Sequence, residues 1–386
     1  MGRVGVRRAV VAVLAIALAG LAAPAFSARS SARSSARSNP RWVIGYYPVY
    51  QRDLMPVGEI DWSAMTHLAV GAVIPRADGS LDKSFFVDST NGPNIAKRLA
   101  AAANAHGVIP ILMVGGAGFH DGFAAAATNH RAALVKHLLA TMRAYGFKGL
   151  DLDWEPVQTG EGSAVTALVK ALRAQAPHAV LTMPVGWVTR TFPQVPAFYG
   201  TLAKSLDRID VMTYEMAGAY DGWKTWHSSA LKGAGSGTPS DIVLNVASYE
   251  KAGVPARKLG IGVGFYGTCW AGGVSGPRQQ VGSSYVAASD NVMSYTTIMS
   301  RYFSSASYRY DETAQAPYLS FGQPTGAQRC TFVSYENPRS VRAKGAWAEQ
   351  HGLGAEIVWT VNQAHVHGAA PGKTDPLLRA VRASFR

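Results

Sequence analysis

With 386 residues, 48 % of them apolar and 40 glycines, the chain exceeds one average domain and reads as a soluble, turn-rich α/β protein, which excludes a disordered or fibrous one. A net charge of +13 suggests nucleic acid, yet Arg3, Arg7, Arg8, Arg29, Arg33, Arg37 and Arg41 supply seven of those charges without an acid among them, leaving +6 for the rest. No Lys/Arg cluster interleaved with aromatics follows, so a nucleic-acid partner is not expected.

In chain order, three arginines precede an apolar run over 9–25 that ends in Ala23-Pro24-Ala25. This is the pattern of a cleaved signal peptide over 1–28, so export is expected and no membrane attachment after cleavage. A leader over 29–41 repeats Ser-Ala-Arg-Ser and is too polar and simple to bury a core. From residue 41 onward, strand patterns at 41–48, 65–74, 108–114, 179–184, 209–214, 259–266 and 355–360 alternate with helical patterns. The helices fall at 94–105, 131–145, 162–175, 240–253, 339–351 and 375–384. With the acidic strand described next, the strand count is eight, and the alternation argues for a parallel sheet.

That strand is Phe147-Lys148-Gly149-Leu150-Asp151-Leu152-Asp153-Trp154-Glu155-Pro156. Apolar and acidic residues alternate with the period of a β-strand, so the three carboxylates share one face. Side chains two apart on a strand lie roughly 6.5–7 Å from each other. Three acids so placed cannot all ionise cheaply; one pKa is expected to rise, which is what a general acid needs near neutral pH.

Leu150-Asp151-Leu152-Asp153-Trp154-Glu155 resembles the signature of the glycoside hydrolase family 18 chitinases, D-x-x-D-x-D-x-E on the fourth strand of a (β/α)₈ barrel. The likeness extends over nearly the whole chain after residue 41. Val43-Ile-Gly-Tyr-Tyr47 and Thr66-His-Leu-Ala69 resemble the first two strands, and Ile111-Leu-Met-Val-Gly-Gly116 the third. Val211-Met-Thr-Tyr-Glu215 resembles the M-x-Y-D of the sixth strand, 258–267 the seventh and Ile357-Val-Trp359 the eighth. The resemblance implies a (β/α)₈ TIM barrel over 42–386, with a small α+β insertion after strand seven at about 268–333. Cys269 and Cys330 bracket that insertion. They are too few for a disulfide scaffold and lack metal-ligand spacing. In an exported protein they are expected to pair at its base, the alternative being two buried thiols.

Barrel active sites lie at the C-terminal ends of the strands. The resemblance implies that Glu155 protonates the glycosidic oxygen, that Asp153 orients the sugar's 2-acetamido group, and that Tyr214 donates to its carbonyl. It also implies that Asp151 is the inner partner of Asp153, held by Tyr46, that Trp359 is the floor of the cleaved-sugar subsite, and that Met212 and Glu215 line the same pocket, with Glu215 in place of the commoner Asp. The expected substrate is a β-1,4-linked N-acetylglucosamine polymer, cleaved with retention by a monomeric, secreted enzyme using no cofactor and no metal. Two other readings stay open: a chitin-binding lectin of the same fold, and an N-acetylglucosaminidase acting on peptidoglycan or N-glycans.

Three positions depart from the family pattern. Lys148 stands for the first Asp, at the strand's start and away from the mouth. Met113 stands for the Ser of S-x-G-G, so Asp151 is expected to have one partner fewer and to draw the shared proton to itself. Ala117 stands where an aromatic often supports the leaving-group sugar, with Phe119 or His120 as substitutes. Trp187, Trp223, Trp226 and Trp270 follow strands five to seven and read equally as sugar platforms or packing. His365-Val366-His367 has no acid near it in sequence and reads as a loop rather than a metal pair.

Overall fold

A computed structural model describes residues 41–370 and 372–385. The expected signal peptide and all but the last residue of the expected leader lie outside the described residues. Eight parallel strands close on themselves: β1 Trp42–Pro48, β2 His67–Pro75, β3 Ile109–Gly115, β4 Gly149–Asp153, β5 Val180–Val185, β6 Arg208–Val211, β7 Leu259–Gly264 and β8 Ala355–Trp359. Closure comes from β1, which pairs with β2 (Gly45 opposite Leu68) and also with β8 (Gly45 opposite Val358). The (β/α)₈ barrel is therefore the architecture.

Two layers of apolar packing follow from the period of two. Ile44, Ala69, Ile111, Met113, Ala355 and Ile357 fill the barrel, while Leu68, Val70, Leu112, Val114, Leu150 and Leu152 pack outward under the helices. Those helices include Asn91–Ala105, Arg131–Ala144, Gly162–Gln175, Ile242–Lys251, Pro338–Gln350 and Pro376–Phe385. A helix not read from the sequence, His120–Asn129, also packs there through Phe123. Local chemistry sets their starts. Asp241 accepts from the Leu244 amide at 2.7 Å, and Asn337 caps Pro338–Gln350 through the Arg339 and Ser340 amides.

Between β7 and β8 the chain forms a second, antiparallel sheet of five strands, Thr268–Ala271, Tyr285–Ala288, Tyr308–Asp311, Ala316–Thr325 and Cys330–Ser334, with helix Tyr295–Arg301. A disulfide joins Cys269 to Cys330 on paired strands, 61 residues apart in sequence. Several predicted bounds shift by a few residues, two of them at the site. β6 ends at Val211 rather than Tyr214, and β4 ends at Asp153, where Trp154 N–H bonds back to the Leu152 carbonyl and turns Glu155 out of the sheet. No helix among the described residues is long and apolar enough to cross a membrane.

Candidate active site

Asp151 and Asp153 are the inward-facing positions of β4, and both are buried, at 0 % and 4 % exposure. Trp154, on the opposite parity, stacks on Phe123 at 5.0 Å in the outer core. The alternation thus commits three large side chains outward and so aims the acids inward. Glu155 follows at the mouth, partly exposed.

Asp151 is held by two hydroxyls: Tyr46 from β1 donates to Oδ2 at 2.8 Å, and Thr182 from β5 donates to Oδ1 at 2.5 Å. Here the structure corrects the expectation drawn from Met113. Met113 and Thr182 flank Asp151 from the two neighbouring strands, each in register with it, so the hydroxyl missing on β3 is supplied from β5. Burial raises the Asp151 pKa to about 6 against the pull of these two bonds. Asp153 has no such help, and its Oδ1 has no hydrogen-bond partner among the described residues. Burial, then the charges of Glu155 and Asp151, push its pKa well above the carboxylate range. Burial and neighbouring charge thus raise Asp153 with no hydrogen bond opposing the rise, whereas at Asp151 two hydroxyls oppose it. Glu155 is raised as well, by burial and by Glu215.

Backbone geometry at the end of β3 makes room for this pair. Gly115 has φ 93° and Gly116 φ 122°, and Gly116 N–H donates to the Asp153 carbonyl at 2.8 Å. A Cβ on Gly115 would stand 2.4 Å from that carbonyl oxygen, so a larger residue would move β4 itself.

Past the end of β6, Tyr214 sits with its ring 6.0 Å from Tyr266, and its hydroxyl is kept protonated by burial and the acids around it. Glu215 holds a left-handed backbone, φ 54°, with its amide donating to Ser228 Oγ at 3.1 Å. Such a conformation in a non-glycine residue costs about 1–2 kcal/mol and clusters at functional positions. Asp290, from the insertion, is likewise left-handed at φ 43°. Its Oδ1 accepts from Trp359 Nε1 at 3.2 Å and from Gln363 Nε2 at 2.7 Å, fixing the indole whose ring lies 5.6 Å from Tyr46. Burial raises both Glu215 and Asp290 above the usual range.

These residues enclose a cavity of about 170 Å³ lined by Tyr46, Asp153, Glu155, Met212, Tyr214, Glu215, Asp290 and Trp359. It runs on through Ala117 and Trp359 into a second hollow of about 310 Å³ bordered by Tyr50, Phe86 and Phe119. The rings of Tyr50 and Phe86 are 5.9 Å apart and those of Phe86 and Phe119 5.5 Å, giving an aromatic rim beside the place of Ala117. A larger hollow of about 590 Å³, lined by Arg76, Lys97 and Tyr145, shares none of these residues.

The model of the glycosyl hydrolases family 18 matches residues 43–364. The chain belongs to that family. As a family 18 glycosyl hydrolase it is 24 % identical over 342 residues to "Chitinase 1" of Aphanocladium album, covering 81 % of this chain and 78 % of that one. To "Chitinase A1" of Niallia circulans it is 29 % identical over 275 residues, 63 % of this chain and 38 % of that one. Among solved structures, the Ostrinia furnacalis Group IV chitinase in complex with allosamidin superposes with TM-score 0.74 at 24 % identity, over 89 % of this chain and 98 % of the other. A chitinase-like agglutinin of Robinia pseudoacacia gives 0.69 at 21 %, over 89 % and 99 %. The fold is thus shared by proteins named for cleavage and for binding.

The structure brings Glu155, Asp153, Asp151, Tyr214, Trp359, Tyr46, Met212 and Glu215 to one mouth. The tryptophans divide: Trp226 and Trp270 are buried in the small clusters of the insertion side, while Trp187 and Trp223 are partly exposed, 6.3 Å apart. His120 is tied to Asp121 and Glu161, leaving Phe119 as the aromatic beside Ala117. Thr182, Asp290, Gln363 and Tyr266 were missed by sequence reasoning. A second correction concerns His365 and His367, which do have acids beside them: Glu59 and Asp375.

Proposed function

We propose that this chain is an exported, retaining chitinase that cleaves β-1,4-linked N-acetylglucosamine chains with help from the substrate's own amide. The observation that carries this reading is Asp153. It is a carboxyl buried beside Glu155 and Asp151, with raised pKa and an unpartnered oxygen, at the base of a cavity that has room for little more than one sugar unit. A second carboxylate nucleophile would have to be ionised, and burial opposes that here. A protonated Asp153 instead suits a neutral amide.

In this scheme the sugar at the cleavage point lies on Trp359, whose indole is braced by Asp290. Asp153 orients the 2-acetamido group, and the Tyr214 hydroxyl donates to its carbonyl oxygen. That oxygen attacks the anomeric carbon while Glu155 gives its proton to the departing glycosidic oxygen, leaving an oxazolinium ion. Water then loses a proton to Glu155 and adds at the same carbon, restoring the acetamide with net retention. Asp151, anchored by Tyr46 and Thr182, is the fixed negative charge against which the Asp153 proton is held. The relatives named as chitinases support chitin as the polymer.

The deciding experiment is turnover of chromogenic N-acetylchitooligosaccharides by the wild type and by Glu155→Gln. A fall in kcat on the order of 10²–10⁴ with binding retained is expected, that being the usual contribution of a positioned acid. Equal turnover, or binding without turnover in the wild type, would overturn the assignment.

A further inference from the structure

From the segments that follow β1 and β8 the structure gathers a group of side chains that the cleavage scheme does not use. Glu59 comes from the segment after β1, His365 and His367 from the chain after β8, and Asp375 from just before the last helix. His365 Nε2 lies 2.7 Å and His367 Nδ1 3.5 Å from the same oxygen, Glu59 Oε2. The donor atoms of Glu59, His365 and His367 all fall within 4.8 Å of one another. The two imidazoles stand nearly perpendicular, 87° apart, with centroids at 4.9 Å.

We propose that Glu59, His365 and His367 bind one divalent transition-metal ion, with Zn²⁺ as the best match. Zinc sites with an open position use three protein ligands of this kind, with bonds of about 2.0–2.2 Å, which places tetrahedral donors roughly 3.3 Å apart. The distances of 2.7 and 3.5 Å to Glu59 straddle that value, and the two imidazoles, whose donors lie within 4.8 Å, close the shell when the half-exposed His367 moves toward His365. Two imidazoles and one carboxylate favour zinc, copper or nickel over calcium or magnesium, which prefer oxygen.

The surroundings fit as well as the donors. Asp375, itself buried at 2 %, accepts at 2.8 Å from the other ring nitrogen of His365. A carboxylate so placed fixes the tautomer and leaves Nε2 free for a ligand bond, the arrangement that commonly backs a metal-binding histidine. His365 is buried while Glu59 and His367 are about half exposed, so one side of the shell faces solvent and gives an ion its entry. The ion would join the segment after β1 to the segment after β8. Gln363, which donates to the Asp290 carboxylate at the edge of Trp359, is two residues from His365. The site therefore tethers the loop that braces the cleft floor.

The competing account is a metal-free ion bridge, in which protonated His365 lies between Asp375 and Glu59. Dialysis decides between them. Protein lacking a polyhistidine tag is stripped with a chelator, equilibrated with micromolar Zn²⁺ and assayed for bound metal and melting temperature. One tightly held ion per chain and a melting temperature that climbs with zinc concentration are expected. His367→Ala and Glu59→Gln change half-exposed residues and should fold as the wild type does when metal-free, yet each should bind zinc at least about tenfold more weakly. Absence of bound zinc in the wild type, or equal binding by both variants, overturns the proposal.

Discussion

At the barrel mouth, Asp153, Glu155, Glu215 and Asp290 line one cavity whose described residues include no lysine or arginine. Where the insertion meets helix Pro338–Gln350, buried acids are arranged in the opposite manner. Glu336 is bonded to the buried Lys344, which also donates to Ser229 Oγ at 2.9 Å, and Asp311 is bonded to both Arg278 and His227. The pKa directions of the mouth acids and of Asp311 differ accordingly. Burial raises every mouth acid, while at Asp311 the bonds from His227 and Arg278 outweigh burial and hold its pKa well below the usual range. In one region burial makes the acids harder to ionise; in the other the acids fasten elements together. Glu356 is the mixed case, since burial lifts it to about 8 despite the nearby Lys344 charge.

The largest effect that would break this contrast lies at the mouth. Asp153→Asn should lower kcat on chitooligosaccharides on the order of 10²–10⁴ while leaving the melting temperature unchanged or higher, because burial and the charges of Glu155 and Asp151 disfavour the ionised form of the acid it replaces. A drop in stability would show that Asp153 is a structural anchor after all. Next comes Lys344→Met, which strands Glu336 in the interior. Breaking a buried pair in this way costs about 3–5 kcal/mol, to be read from urea unfolding, with activity per folded molecule preserved. An unchanged midpoint would remove the distinction between the two regions.

The smallest and sharpest test is Thr182→Val. With a folded pKa of about 6 against about 3.9 unfolded, the favourable contribution of protonated Asp151 is complete below pH 4 and is lost as pH rises through 6, a change of roughly 3 kcal/mol. Removing the Thr182 donor raises the pKa further, by about one unit, so the loss shifts to higher pH and deepens. Unfolding curves from pH 4 to 8 should show it. Asp311 has the opposite sign: its contribution is present above pH 4 and disappears on acidification.

The barrel could be read from the alternation of strands and helices after residue 41, and the three acids of the site from residues 147–156, because a strict period of two admits only one placement of the acids once Leu150, Leu152 and Trp154 claim the core. Thr182 could not be read. Its role exists only through register, since nothing about a threonine in an apolar strand reveals that Asp151 is its neighbour. Asp290 was hidden in the same way, 69 residues before Trp359 and inside a segment whose Gly/Ser-rich pattern carries no period. The histidine pair seemed to lack an acid for want of one nearby in sequence; Glu59 reaches His365 across 306 residues because β1 and β8 are adjacent in the closed ring.

The bond from Asp290 to Trp359 means that the second sheet is not a detachable ornament on the barrel. Anyone trimming residues 268–333 to obtain a minimal scaffold would also delete the brace at the edge of the indole, and the leftover platform would be free to swing. A different segment grafted at this point would keep that brace only if it carried an acceptor to the same spot.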